Sequence, residues 1–121
     1  MSLIKILKPD FVFNDERGTL TQLVHKGYQQ INSVFTVKGA VRGNCHYHKK
    51  NTETFFIAAG TVKLDAYLND EHETYIFTQG DMFTVPPEVR HTMEFREDTY
   101  LIGMYDGCVE DESGNKDIFI D

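Results

Sequence analysis

Short runs of alternating apolar and polar residues, broken by turn-forming residues about every ten positions, constrain this chain more than any other feature. Within 62–68, Val62, Leu64, Ala66 and Leu68 fall on one face and Lys63, Asp65 and Tyr67 on the other. That is the period-two pattern of a strand with one buried face. The same reasoning predicts strands over 19–24, 31–38, 53–59, 74–78, 82–85, 91–95 and 99–104. Gly60 and Asn69-Asp70 supply the turns between them. No segment shows a helical period beyond what a short terminal turn needs, so the pattern predicts an all-β sandwich or barrel.

The length of 121 residues predicts one domain over 1–121. Its barrel is expected at about 30–105, followed by an acidic tail at about 106–121 that is tied down by Ile118-Phe119-Ile120. Hydrophobic residues make up 40% of the chain, enough for a packed core without disulfide staples. Cys45 and Cys108 are the two cysteines and are expected to be reduced thiols. The formal net charge of −7 argues against nucleic acid or an anionic membrane as partner. It leaves room for a phosphorylated small molecule, which needs only a local group of arginines. No apolar run is long enough to span a membrane and no signal-like segment opens the chain, so a cytoplasmic location is expected.

Three of the five histidines belong to one constellation with a glutamate: His46, His48, Glu53 and His91. Three imidazoles and a carboxylate suit a divalent transition metal, namely Zn, Fe, Ni or Mn. His46 and His48 are two apart, so on a strand they share a face, roughly 7 Å apart. Glu53 shares its face with Phe55, Ile57 and Ala59, and His91 shares its face with Met93 and Phe95. A carboxylate in an apolar register is expensive to bury unless something pairs with it. A metal is such a partner.

These residues resemble the paired motifs of the cupin superfamily. His46-Tyr47-His48, four residues, Glu53, six residues and Gly60 follow the first motif, with Ala40 where its leading glycine stands. Gly80, five residues, Pro86-Pro87-Glu88, two residues and His91 follow the second, with Glu88 and Phe95 in place of a glycine and an asparagine. The resemblance implies a jelly-roll barrel, the double-stranded β-helix, with a metal inside. The flanks look like those of cupins that act on nucleotide-linked sugars, such as 3,5-epimerases and 3,4-ketoisomerases. The relevant segments are Asp15-Glu16-Arg17-Gly18-Thr19-Leu20, Gln30-Ile31-Asn32 and Val41-Arg42-Gly43-Asn44. The run Arg42-Gly43-Asn44-Cys45-His46-Tyr47-His48 also resembles the cupin domain of capsular-polysaccharide epimerases, with Cys45 as an added residue.

That resemblance implies proton transfer beside a sugar ketone, with His46 or His48 as base. It also implies Arg17 and Arg42 as holders of a diphosphate, and a homodimer paired through sheet edges. A histidine bound to a metal has committed the lone pair that a base needs. Ligand and base are thus alternative roles for the same atoms, and Glu53 favours the ligand. Two other readings stay open. One is a different metal-dependent cupin enzyme, a dioxygenase or a free-sugar isomerase. The other is a cupin that binds a small molecule without turnover.

Overall fold

In the computed structural model, residues 2–120 are described, and all their regular structure is β. Eleven strands follow in order: β1 Lys5–Leu7, β2 Phe11–Asp15, β3 Gly18–Gln22, β4 Gln30–Thr36, β5 Val41–His46, β6 Glu53–Ala59, β7 Thr61–Leu68, β8 Glu71–Thr78, β9 Met82–Val85, β10 Arg90–Phe95 and β11 Thr99–Tyr105. They form a five-stranded sheet in the order β1-β9-β6-β11-β4, a four-stranded sheet β5-β10-β7-β8 and a separate hairpin β2-β3. The two larger sheets enclose one apolar core, which is the jelly-roll expected from the sequence.

The alternation read along β7 is realised in full. Val62, Leu64 and Ala66 are completely buried, while their neighbours are half-exposed. Phe55 and Ile57 from β6, Phe83 and Val85 from β9, Met93 and Phe95 from β10 and Leu101 from β11 meet them in the same cluster. Phe83 stacks between Phe77 and Phe55, at centroid distances of 4.0 and 5.1 Å. Each such side chain contributes roughly 1.5–3 kcal/mol by leaving water. Among the described residues no helix is long and apolar enough to cross a membrane.

Three strands escaped the periodicity. The second, β2, carries Phe11, Val12 and Phe13 in succession, all about half-exposed, because the hairpin pairs only with itself and buries neither face. The first, β1, is only three residues long. The third of these, β5, does not run as a regular strand. The structure shows why: Gly43, Asn44 and Cys45 have φ of 96, 42 and 63°. Opposite them His46 pairs with His91 and Arg42 with Met93, so three residues face Thr92 alone. This bulge absorbs two extra residues, which preserves strand parity and leaves Arg42 on the same face as His46.

Two turns decide the strand connections around the site. Gly60 has φ 109°, and a Cβ there would lie 2.6 Å from the Asp98 carbonyl oxygen and 2.7 Å from the Thr99 Cα, so only glycine fits. Glu88 takes φ 73°, the left-handed conformation that a glycine would adopt freely. The tail departs from expectation. Its deepest residue is the charged Asp117, 8% exposed, whereas Ile118 and Ile120 are 41% and 62% exposed. Hydrogen bonds hold the tail together with buried Val109 and the half-buried Phe119 ring against Tyr47.

Candidate functional site

His46 ends β5, Glu53 opens β6 and His91 lies in β10, paired with both His46 and Ala66. His48 follows one residue beyond an isolated bridge between Tyr47 and Phe119. The four side chains converge, and their potential ligand atoms all lie within 4.8 Å of one another. His91 is fully buried, His48 and Glu53 are buried, and His46 is half-exposed.

The polar partners orient the rings. His48 Nδ1 donates to the Asp117 carbonyl at 2.5 Å, and His91 Nδ1 faces the Val89 carbonyl at 3.2 Å. Both rings therefore turn Nε2 toward Glu53. His48 Nε2 lies 2.9 Å from Glu53 Oε1, a hydrogen bond, and His91 Nε2 lies 3.5 Å from the same oxygen, an electrostatic contact only. Thus His91 Nε2 is buried with no hydrogen-bond partner among the described residues. Such an orphan costs about 1–3 kcal/mol, and a metal ion at the centre of the cluster would satisfy it. The donor set of three imidazole nitrogens and one carboxylate fits a divalent transition metal.

The protonation states of His46 and Glu53 agree with that fit, whereas ligation by His48 would require it to give up the proton its acceptors favour. Burial and the two neighbouring imidazoles push His46 down to about 4, so it is neutral at pH 7. Burial disfavours the Glu53 carboxylate, but His48 and His91 outweigh it and hold Glu53 at about 2. Burial also opposes a charge on His48. The hydrogen bonds to Glu53 and to the Asp117 carbonyl prevail, and its pKa is raised.

A cavity of about 340 Å³ opens over this cluster. His46, Glu53 and Arg42 line it with Val34, Phe55, Met93, Leu101 and Tyr105. Arg42 is exposed and donates from Nε to Thr36 Oγ1 at 2.7 Å. Tyr105 was not assigned a role from the sequence. It pairs in register with Glu53 across β11 and β6, which puts its hydroxyl within the electrostatic reach of the carboxylate. Burial and the adjacent carboxylate drive its pKa upward and keep it a proton donor. The inward series Leu101, Gly103, Tyr105 was the available signal. A Cβ at Gly103 would sit in ordinary contact with Glu53 Oε2, at 3.8 Å.

Arg17 is not brought to this cavity by its own chain. It sits at the tip of the hairpin in a separate cleft with Phe13 and Leu20, and it forms an ion pair with Asp15 at 2.5 Å. The cause is the hairpin's self-pairing, which carries the tip away from the barrel mouth. Cys45 faces outward, with its amide donating to Thr92 Oγ1 at 2.7 Å. Both cysteines are free.

Residues 33–103 match the family described as the cupin domain. The chain belongs to the cupin family. None of the curated proteins matches this cupin, but many solved structures share its fold. A mutant of the QdtA 3,4-ketoisomerase from Thermoanaerobacterium thermosaccharolyticum, in complex with TDP-4-keto-6-deoxyglucose, is 20% identical with a TM-score of 0.80. That match covers 98% of this cupin and 88% of the other chain. The WlaRB TDP-quinovose 3,4-ketoisomerase from Campylobacter jejuni is 17% identical with a TM-score of 0.80, covering 97% and 94%. The dTDP-4-dehydrorhamnose 3,5-epimerase from Sulfolobus tokodaii is 25% identical with a TM-score of 0.71, covering 84% of this cupin and 69% of that enzyme.

Proposed function

We propose that this cupin holds a divalent transition metal at His46, His48, Glu53 and His91 and acts on a carbohydrate. The reaction is the epimerisation or isomerisation of a keto sugar, linked to a nucleotide, in polysaccharide biosynthesis. One observation carries the metal: the orphaned, fully buried Nε2 of His91, aimed with two other imidazoles at an ionised carboxylate. The fold's likeness to ketoisomerases and epimerases of TDP-linked sugars supports the substrate class.

When bound, the ion supplies Lewis-acid polarisation of a ligand oxygen. The chain's own residues do the rest. The apolar wall of Val34, Phe55, Met93 and Leu101 excludes water and strengthens every charge interaction inside. Arg42 presents a forked cation at the rim for a phosphate. Tyr105 offers a proton from the cavity wall toward developing negative charge on a ketone oxygen.

One observation favours a second, metal-free reading. His46 is an imidazole of the cavity wall and is neutral at pH 7, so it can take a proton from the carbon beside the ketone. In that reading the hydrogen-bonded His48 and Glu53 pair lies behind it, and the proton returns from His46 to another face or carbon. His48, 2% exposed, orients the site in both readings.

Pairing of two copies completes the proposal. The hairpin exposes Phe11, Val12, Phe13 and Leu20, and the open strand β4 with its neighbour β11 exposes Ile31, Phe35 and Tyr100. A hairpin delivered from a second copy is the route by which Arg17 would meet a ligand. Incubation with dTDP- or UDP-linked 4-keto sugars in deuterium oxide tests the function. Deuterium at the carbons flanking the ketone is expected. No incorporation across the panel sinks the proposal, and incorporation that survives a chelator selects the metal-free reading.

A further inference from the structure

Three of the four site residues are held by strands, but His48 is not. The link 49–52 that separates His48 from Glu53 is irregular, so nothing in the sheet ladders sets the angle of the His48 ring. The tail does this instead. Asp117 Oδ1 accepts the amide of Lys49 at 2.8 Å. Its Oδ2 accepts the amides of Lys50 and Asn51 at 3.0 and 2.9 Å and the Asn51 side-chain amide at 2.9 Å. One carboxylate thus caps three successive amides of the link. Four donors to one buried carboxylate are the strong, charge-assisted kind of hydrogen bond.

The same residue's carbonyl receives His48 Nδ1. Its own amide donates to Val109 at 2.8 Å, and Asn51 Oδ1 accepts from Gly107 at 2.8 Å. Beyond Asp117, Phe119 and Tyr47 exchange two backbone hydrogen bonds, each 3.0 Å. Their rings lie 5.7 Å apart, and Lys49 Nζ sits 4.3 Å over Phe119. The chain between Gly107 and Phe119 is therefore fastened to both ends of the link and to the ring of His48. Because Nδ1 is committed to a carbonyl, Nε2 is the nitrogen left for the site's centre.

We propose that Asp117 is a positioning residue, and that the segment 107–119 is a clasp which aims His48 and couples docking of the tail to occupancy of the site. The part of this that concerns occupancy rests on the metal reading above. Coupling is reciprocal: whatever binds His48 Nε2 favours the docked tail, and the docked tail favours that ligand by the same factor.

The test uses the full chain and Zn²⁺ as probe. In chelated wild type at alkaline pH, long-range proton–nitrogen spectra of the His48 ring are expected to show the proton on Nδ1. Asp117→Ala is expected to lose that single tautomer and to weaken Zn²⁺ binding on the order of 10- to 100-fold, as outer hydrogen-bond partners of metal ligands do. Asp117→Asn, which keeps an acceptor, falls between. In wild type, Zn²⁺ is expected to slow hydrogen exchange at the amides of 49–51 and Phe119. A proton on Nε2 in wild type overturns the clasp. So does a folded Asp117→Ala variant with an unchanged ring spectrum and Zn²⁺ affinity. If wild type binds no Zn²⁺, the metal reading fails, and the ring spectra still decide the clasp. If Asp117→Ala does not fold, the wild-type tautomer and exchange measurements decide it.

Discussion

Replacing His91 with leucine separates a catalytic or ligand role from a packing role. His91 is fully buried between β5 and β7, and its Nε2 has no partner among the described residues. An unmet buried donor or acceptor costs about 1–3 kcal/mol, and leucine removes it. Leucine also adds apolar burial beside Phe55, worth roughly 1.5–3 kcal/mol for a whole side chain. Against this stands the Nδ1 contact to Val89 at 3.2 Å. Its loss removes about 1 kcal/mol and leaves a carbonyl unpaired, a further cost of about 1–3 kcal/mol. The terms nearly cancel. Losing the Nε2 contact to the Glu53 carboxylate offsets the gain further, so the metal-free His91→Leu variant is expected to lie within about 2 kcal/mol of wild type. His91→Ala, which leaves a cavity, is expected to lose about 2–4 kcal/mol. Metal affinity moves the other way. If four ligands share a site free energy of about 10–16 kcal/mol, removing one raises the Kd for Zn²⁺ on the order of 10²- to 10³-fold. Urea unfolding of chelated protein measures the first quantity, and competition with a chromophoric chelator measures the second. If leucine destabilises the chelated protein by more than about 2 kcal/mol and leaves Zn²⁺ affinity intact, His91 is a satisfied core residue and the reasoning fails.

Other expectations follow from single observations. Glu53 is held at about 2 against an ordinary 4.5, so its contribution to stability is present above about 4.5 and lost as pH falls through about 2. Chelated wild type should lose roughly 3 kcal/mol of stability over that window on this account, and Glu53→Gln should lose less. Equal slopes in urea titrations would contradict it. Gly60→Ala forces a Cβ against the backbone of 98–99 at φ 109° and is expected to destabilise by more than about 2 kcal/mol, read from the urea midpoint. Glu88→Gly relieves the left-handed conformation at φ 73°, worth about 1–2 kcal/mol, against about 0.4–1 kcal/mol for the added freedom of the unfolded chain, so a net gain of up to about 1 kcal/mol is expected. A calorimetric Tm below wild type would show that Glu88 is held by contacts that outweigh its strain. Arg42→Ala, at an exposed position, should leave Tm nearly unchanged and raise KM for an anionic sugar substrate. A drop in kcat at constant KM would place Arg42 in the reacting centre.

Much of this molecule was legible along the chain because its signals are local. Strand alternation in β6, β7, β9, β10 and β11 depends only on which residues sit two apart, and those strands appear where the pattern put them. The inward register of Glu53 and His91 follows from the same rule and is what lets the sequence bring the four ligand candidates to one place. The hairpin strand β2 was not legible, since a strand with no buried face leaves no alternation. The bulge in β5 was not legible either. Three residues facing one is a property of a pair of strands, and Thr92 lies far along the chain from Cys45.

What the sequence determined by itself is the donor set and its inward facing, because residue type and the period of two are intrinsic to the chain. What tertiary structure decided is how those donors are aimed. The Asp117 carbonyl that turns the His48 ring is 69 positions away, and the Val89 carbonyl faces His91 only because the turn at 86–89 closes as it does. The exclusion of Arg17 from the cavity and the entry of Tyr105 into it are decided at the same level, by which strands pair with which. Ring orientation and cavity lining arise from contacts between distant segments. The linear pattern records none of these until the sheets close around them.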